Sequence, residues 1–128
     1  MLARSLSAGV VGGALLISAA AAEPLNTLAE VGRALNACWV APPPEQAFDG
    51  MEITVRFSFT RDGTILGEPR FTFITPAVPQ PVRAAYQRAV AEALMRCAPL
   101  SFTPGLAGAI AGRPFAWRIV DHRNHRKA

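Results

Sequence analysis

From Met51 to Thr60 the chain alternates apolar and polar residues without a break. Met51, Ile53, Val55, Phe57 and Phe59 alternate with Glu52, Thr54, Arg56, Ser58 and Thr60. Successive side chains of a strand point to opposite faces, so this stretch demands a sheet with one buried and one wet face. Arg61-Asp62-Gly63 follows, and then a second strand-like run from Thr64 to about Ile74. A two-residue Asp-Gly loop would set Phe57 opposite Glu68 and Val55 opposite Arg70, mixing the faces. A three-residue loop over 61–63, with Gly63 left-handed in a bulge, pairs Thr60 with Thr64 instead. Phe59 then meets Ile65, Ile53 meets Phe71 and Met51 meets Phe73. A one-residue slip exposes a strand's whole apolar set, so this register is the expected one. Pro69 has no N–H for a ladder, which makes the second strand a sheet edge. Strand 51–60 is therefore central, and Phe115 to Val120 supplies a third strand on its other side.

Two helical stripes complete the pattern. Thr27-Leu28-Ala29-Glu30 has the spacing of a capping box, in which Thr27 and Glu30 satisfy each other's backbone donors. Leu28, Val31, Leu35 and Cys38 follow on one helical face, with Gly32 a weak point. Pro42-Pro43-Pro44 opens a linker that runs to Gly50. Pro79-Gln80-Pro81 starts a second helix, with Pro81 suited to its first turn. Its stripe is Val82, Ala85, Tyr86, Ala89, Val90, Ala93, Leu94 and Cys97. Arg88, Glu92 and Arg96 lie on the opposite side at i,i+4 spacing. Residues 98–114 read as a connection broken by proline and glycine. The fold class is thus α+β, a small three-stranded antiparallel sheet packed on two helices.

The N-terminus points to export. Met1-Leu2-Ala3-Arg4 is a short basic region, 5–18 carry no charge, and Ala19-Ala20-Ala21-Ala22 precede Glu23-Pro24. Basic, apolar and small-residue segments in that order make a secretory leader, with cleavage after Ala22. The rival is a retained anchor, but a spanning helix needs about 20 apolar residues. This run is shorter and holds Gly9, Gly12 and Gly13. Removing residues 1–22 from the 128 leaves a 23–121 domain and a basic tail, 122–128, 106 residues in all. Arg4 leaves with the leader, so twelve basic residues face nine acidic ones, a formal charge of +3. No integral membrane segment then remains, and the destination is the periplasm.

Both cysteines, Cys38 and Cys97, lie in the remaining chain. In an oxidising compartment an even count is read as a disulfide. Closing 59 positions is worth about 4 kcal/mol by the chain-entropy argument, as an upper figure. Two buried free thiols are the alternative. Cysteines this far apart, with both histidines in the tail, lack the paired spacing of zinc ligands. The basic residues are arginines apart from Lys127, and they are scattered. That suits an ordinary solvated surface or contact with anionic polymer, and gives no case for nucleic acid.

Nothing assembles a catalytic set. Ser58 and Ser101 are the serines beyond the leader, neither in a Gly-x-Ser-x-Gly elbow. His122 and His125, beside Asp121, read as solvated tail side chains rather than as a base or metal site. Asp49, Glu52, Asp62 and Glu68 surround the hairpin, where Asp62 belongs to the turn and the others to strand surfaces. No glycine-rich phosphate loop follows a strand. The expectation is a protein that is not an enzyme and takes no cofactor.

The order of segments has a counterpart in a known family. A helix ends in Cys38-Trp39 and a proline run. Ile53-Thr54-Val55-Arg56-Phe57 and Arg61-Asp62-Gly63-Thr64-Ile65-Leu66-Gly67-Glu68-Pro69 follow. Ala84-Ala85-Tyr86-Gln87-Arg88-Ala89-Val90, Arg96-Cys97-Ala98-Pro99-Leu100 and a closing Trp117-Arg118-Ile119 complete the series. Over about 27–121 this resembles the C-terminal domain of the TolA/TonB family, by order and spacing rather than by any single signature. The resemblance implies a small cofactor-free α/β domain that binds envelope protein partners, in some members by adding a partner's strand to a sheet edge. It makes Phe115, Trp117, Arg118, Ile119 and Val120 the candidate partner-binding edge, with Trp117 alternatively a core or capping residue. Energy-transducing members carry an anchor and a long spanning segment before the domain, whereas only a short segment precedes it here. A binding role is therefore expected rather than force transduction. The alternative is a structural envelope protein that touches cell-wall or lipopolysaccharide polymer.

Overall fold

A computed structural model of the chain describes residues 23–122, together with Gly9 and Gly12. The rest of the expected leader and most of the basic tail, His125 included, lie outside the described residues. Three helices and a three-stranded antiparallel sheet make a small α+β fold. In chain order they are α1 (Leu28–Cys38), a 3-10 turn (Pro44–Gln46), β1 (Met51–Phe59), β2 (Ile65–Ile74), α2 (Gln80–Cys97), α3 (Pro104–Ile110) and β3 (Phe115–Asp121). The strand order is β2-β1-β3, with β1 central and both neighbours antiparallel to it.

The alternation along β1 sorts its faces as expected. Met51, Ile53, Val55, Phe57 and Phe59 are buried, and the residues between them are exposed or half-buried. The buried row meets Val31 and Leu35 of α1, Tyr86, Val90, Ala93 and Leu94 of α2, and Leu106 of α3 in one core. The α2 stripe is likewise buried from Ala85 to Leu94. Cys38 and Cys97 form a disulfide across 5.7 Å between Cα atoms, joining the C-terminal ends of α1 and α2. Arg96 does not simply serve the surface of its helix. It donates to the Cys38 carbonyl over 2.8 Å, satisfying an end-of-helix acceptor.

The tip of the hairpin follows the three-residue expectation. Thr60 N–H donates to Thr64 O, Gly63 N–H donates to Thr60 O, and Gly63 sits at φ +80°. A Cβ on Gly63 would stand 1.7 Å from the Leu100 carbonyl oxygen, because the connection after α2 packs directly on this turn. Leu100 N–H in turn donates to Gly63 O over 2.9 Å.

Four expectations need correction. Beyond Phe59–Ile65 the strand register departs from a straight ladder. Ser58 pairs with Leu66, but Arg56 pairs with Arg70, Val55 with Phe71, Thr54 with Phe73 and Ile53 with Ile74. Two extra residues enter β2 around Gly67-Glu68-Pro69, where Gly67 takes φ +75° and Pro69 has no N–H to give. Thr72 is a third extra residue, and it flips the parity. Phe73 therefore lies on the wet face at 45% exposure, and Ile74 goes inward in its place.

The capping box is also displaced. Thr27 Oγ1 accepts from Glu30 N–H, but the Glu30 carboxylate accepts from Asn26 N–H, one residue before the cap. Leu28, at the first position of α1, is 55% exposed and misses the core. The fourth correction concerns 98–114, which is not an irregular connection throughout. Thr103 Oγ1 caps α3 by accepting from Leu106 N–H, with Pro104 at the first helical position. Before α3, Leu25 bridges Phe102 through Leu25 N–H to Ser101 O and Thr103 N–H to Leu25 O.

Candidate functional site

Backbone groups of a strand face its two neighbours alternately, and side-chain-independent contacts fix that alternation here. Thr75 N–H donates to Glu52 O, so the even residues of β1 address β2. Gly112 N–H donates to Phe59 O, so the odd residues address the other side. Ile53 pairs with Ile119 and Val55 with Trp117, which turns the N–H and C=O of Trp117 and Ile119 toward β1. The same groups of Ala116, Arg118 and Val120 then point outward. Among the described residues, none of these outward groups meets a backbone partner.

The five candidate edge residues therefore divide in two. Trp117 is 3% exposed and Ile119 is 6% exposed. Trp117 Nε1–H donates to Asn36 Oδ1 over 2.9 Å, and its ring meets Trp39 edge-on at 6.3 Å. Of its two readings, core or partner contact, its side chain takes the core one. Phe115 is half-buried against Phe57 and Phe59. Arg118 is exposed on the wet face and paired with Glu52, and Val120 is half-buried. Ala116, outside the expected set, is exposed and belongs with Arg118 and Val120 by strand parity. Alternation along the strand groups it with Arg118 and Val120, and the pairing with β1 shows that this group faces outward.

The start of β3 opens on a groove of about 520 Å³ lined by Leu28, Leu106, Ile110, Phe115 and Ala116. Its position explains why Leu28 is exposed: the residue flanks the edge rather than filling the core. At the other end of β3, Asp121 is 5% exposed and accepts from Tyr86 O–H over 2.6 Å. Tyr86 Oη also accepts from Phe48 N–H, so one hydroxyl ties α2 to the entry of β1 and the end of β3, at one end of their ladder. His122 is exposed just beyond it. Among the described residues no group of three or more His, Cys, Asp or Glu stands where it would hold a metal. No described helix is long and apolar enough to cross a membrane.

These features define a small disulfide-tied α+β domain whose sheet is covered on one face and, among the described residues, ends in a regular, uncovered edge at β3. The chain belongs to the family described as uncharacterised conserved protein UCP034077, whose model matches residues 21–123. No curated protein and no solved structure matches it.

Proposed function

We propose that this protein is a periplasmic, non-catalytic interaction domain of the TolA/TonB C-terminal kind, which binds an extended segment of a protein partner along β3. The outward backbone groups of Ala116, Arg118 and Val120 carry this reading. An unpaired, regular edge offers main-chain hydrogen bonds to an added strand. The adjoining groove gives one apolar side chain of the partner a place beside Phe115 and Leu28. The segment order quoted above supports the family resemblance. The disulfide supports export, since such bonds persist in oxidising compartments.

The test uses the exported full chain as bait in envelope extracts. Arg118→Ala removes a side chain and keeps the N–H, whereas Arg118→Pro removes the N–H as well. Partner recovery is expected to survive the first change and fail in the second, with both variants folded by circular dichroism. Equal recovery with both would mean that the edge is not used.

A further inference from the structure

We propose that the wet face of the sheet holds a phosphate-binding site between Arg56 and Arg70. The two arginines are far apart in sequence, yet they are directly paired across β1 and β2. Side chains directly opposite on adjacent strands have Cβ atoms about 4.5–5.5 Å apart, and like charges placed so repel each other. A straight ladder continued from Phe59–Ile65 would instead have set Arg56 opposite Glu68, a complementary pair. The two extra residues around Gly67-Glu68-Pro69 remove that pairing and bring Arg70 into its place. Neither arginine has an acidic partner within ion-pairing distance among the described residues, whereas Arg118 on the same face has Glu52.

The pair lines a shallow pocket of about 390 Å³. Ser58 and Thr72 add hydroxyl groups to its lining, and Leu66 and Pro114 add apolar surface. Two guanidinium forks match the charge and the several acceptor oxygens of a phosphate dianion, which guanidinium binds in bidentate fashion. The dianion also neutralises both arginines at once, relieving the repulsion that the register imposes. Glu68 lines the same pocket and opposes the anion, so it sets the affinity. The site lies on the wet face of the sheet beside the β3 edge, since Arg56 pairs with Ala116 across β1 and β3.

The probe is inorganic phosphate at pH 8, against chloride at matched ionic strength, with the full chain followed by thermal melting and by arginine Nε NMR signals. Saturable stabilisation specific to phosphate is expected, with shifts at Arg56 and Arg70. Arg70→Gln or Arg56→Gln is expected to weaken apparent phosphate affinity about tenfold or more, as for loss of a charged hydrogen-bonding partner. Glu68→Gln tightens it, and Arg88→Gln on the exposed side of α2 leaves it unchanged. Sedimentation with phosphatidic acid vesicles but not phosphatidylcholine vesicles assigns the phosphate to a lipid headgroup. Phosphate binding without sedimentation assigns it to a soluble phosphate. A phosphate effect no larger than chloride's, or one that persists in Arg70→Gln, overturns the site. So does acetate binding as tightly as phosphate, because a monoanion does not need both arginines.

Discussion

The two outer strands of the sheet run beside the same central strand, yet they present opposite edges. β2 is bent by three extra residues, carries Pro69, and turns Phe73 and Leu66 to solvent. β3 pairs residue for residue with β1 from Met51–Asp121 to Phe57–Phe115. Bulges and prolines spoil an edge as a template, and a regular edge invites another strand. The difference teaches that the fold blunts one edge and leaves the other fit for use. Side-chain burial follows the same division. Trp117 and Ile119 anchor β3 to the core, while Ala116, Arg118 and Val120 leave its outer margin available.

Proline scanning of β3 gives the largest test of that division. Ile119→Pro removes a ladder donor to Ile53 and a buried side chain, and is expected to cost about 3 kcal/mol or more. Arg118→Pro lies on the outward register, where an edge strand tolerates proline, and should cost about 1 kcal/mol or less. Urea melts of the two variants give the comparison, and equal losses would break the assigned parity. Cys97→Ala comes next, with an expected loss of about 2–4 kcal/mol in the same assay. The disulfide holds α1 in place, and α1 carries the Asn36 acceptor of Trp117.

Gly63→Ala tests the shared hairpin tip. A side chain there meets both the positive φ and the Leu100 carbonyl, so about 3 kcal/mol of destabilisation is expected, comparable to the disulfide variant. A near-neutral result would mean that the connection after α2 does not rest on the turn. The smallest effect belongs to Glu52→Gln. Its pair with Arg118 lies at the surface, with Glu52 half-buried, and such pairs contribute under about 1 kcal/mol.

Much of this fold is legible in the sequence because it rests on periodicity. The alternation of β1, the stripe of α2 and the Asp62-Gly63 turn each reflect a local rule that the core reinforces. The bulges are a different matter. Pro69 marks β2 as an edge, but nothing local says how many residues the strand must spend to pass it. The expected and observed registers therefore differ by three residues at Ile53, and Phe73 changes face. α3 is faint in the sequence because Gly105 and Gly108 weaken a seven-residue helix. Its Thr103-Pro104 start is nonetheless an N-terminal signal of the kind already visible at Thr27. Of the edge, the strand itself was legible from its β-branched and aromatic run. Which of its residues face outward depended on pairing with β1, a tertiary fact.

The contrast between the edges is tested most directly by photo-crosslinking in cells that make the protein, with the reactive group placed at Ala116 or at Glu68. A discrete protein adduct from position 116, absent from position 68 and lost with Arg118→Pro, is the expected result. An adduct from position 68 with none from position 116 would contradict the account, because the partner would then be using the edge that the bulges blunt.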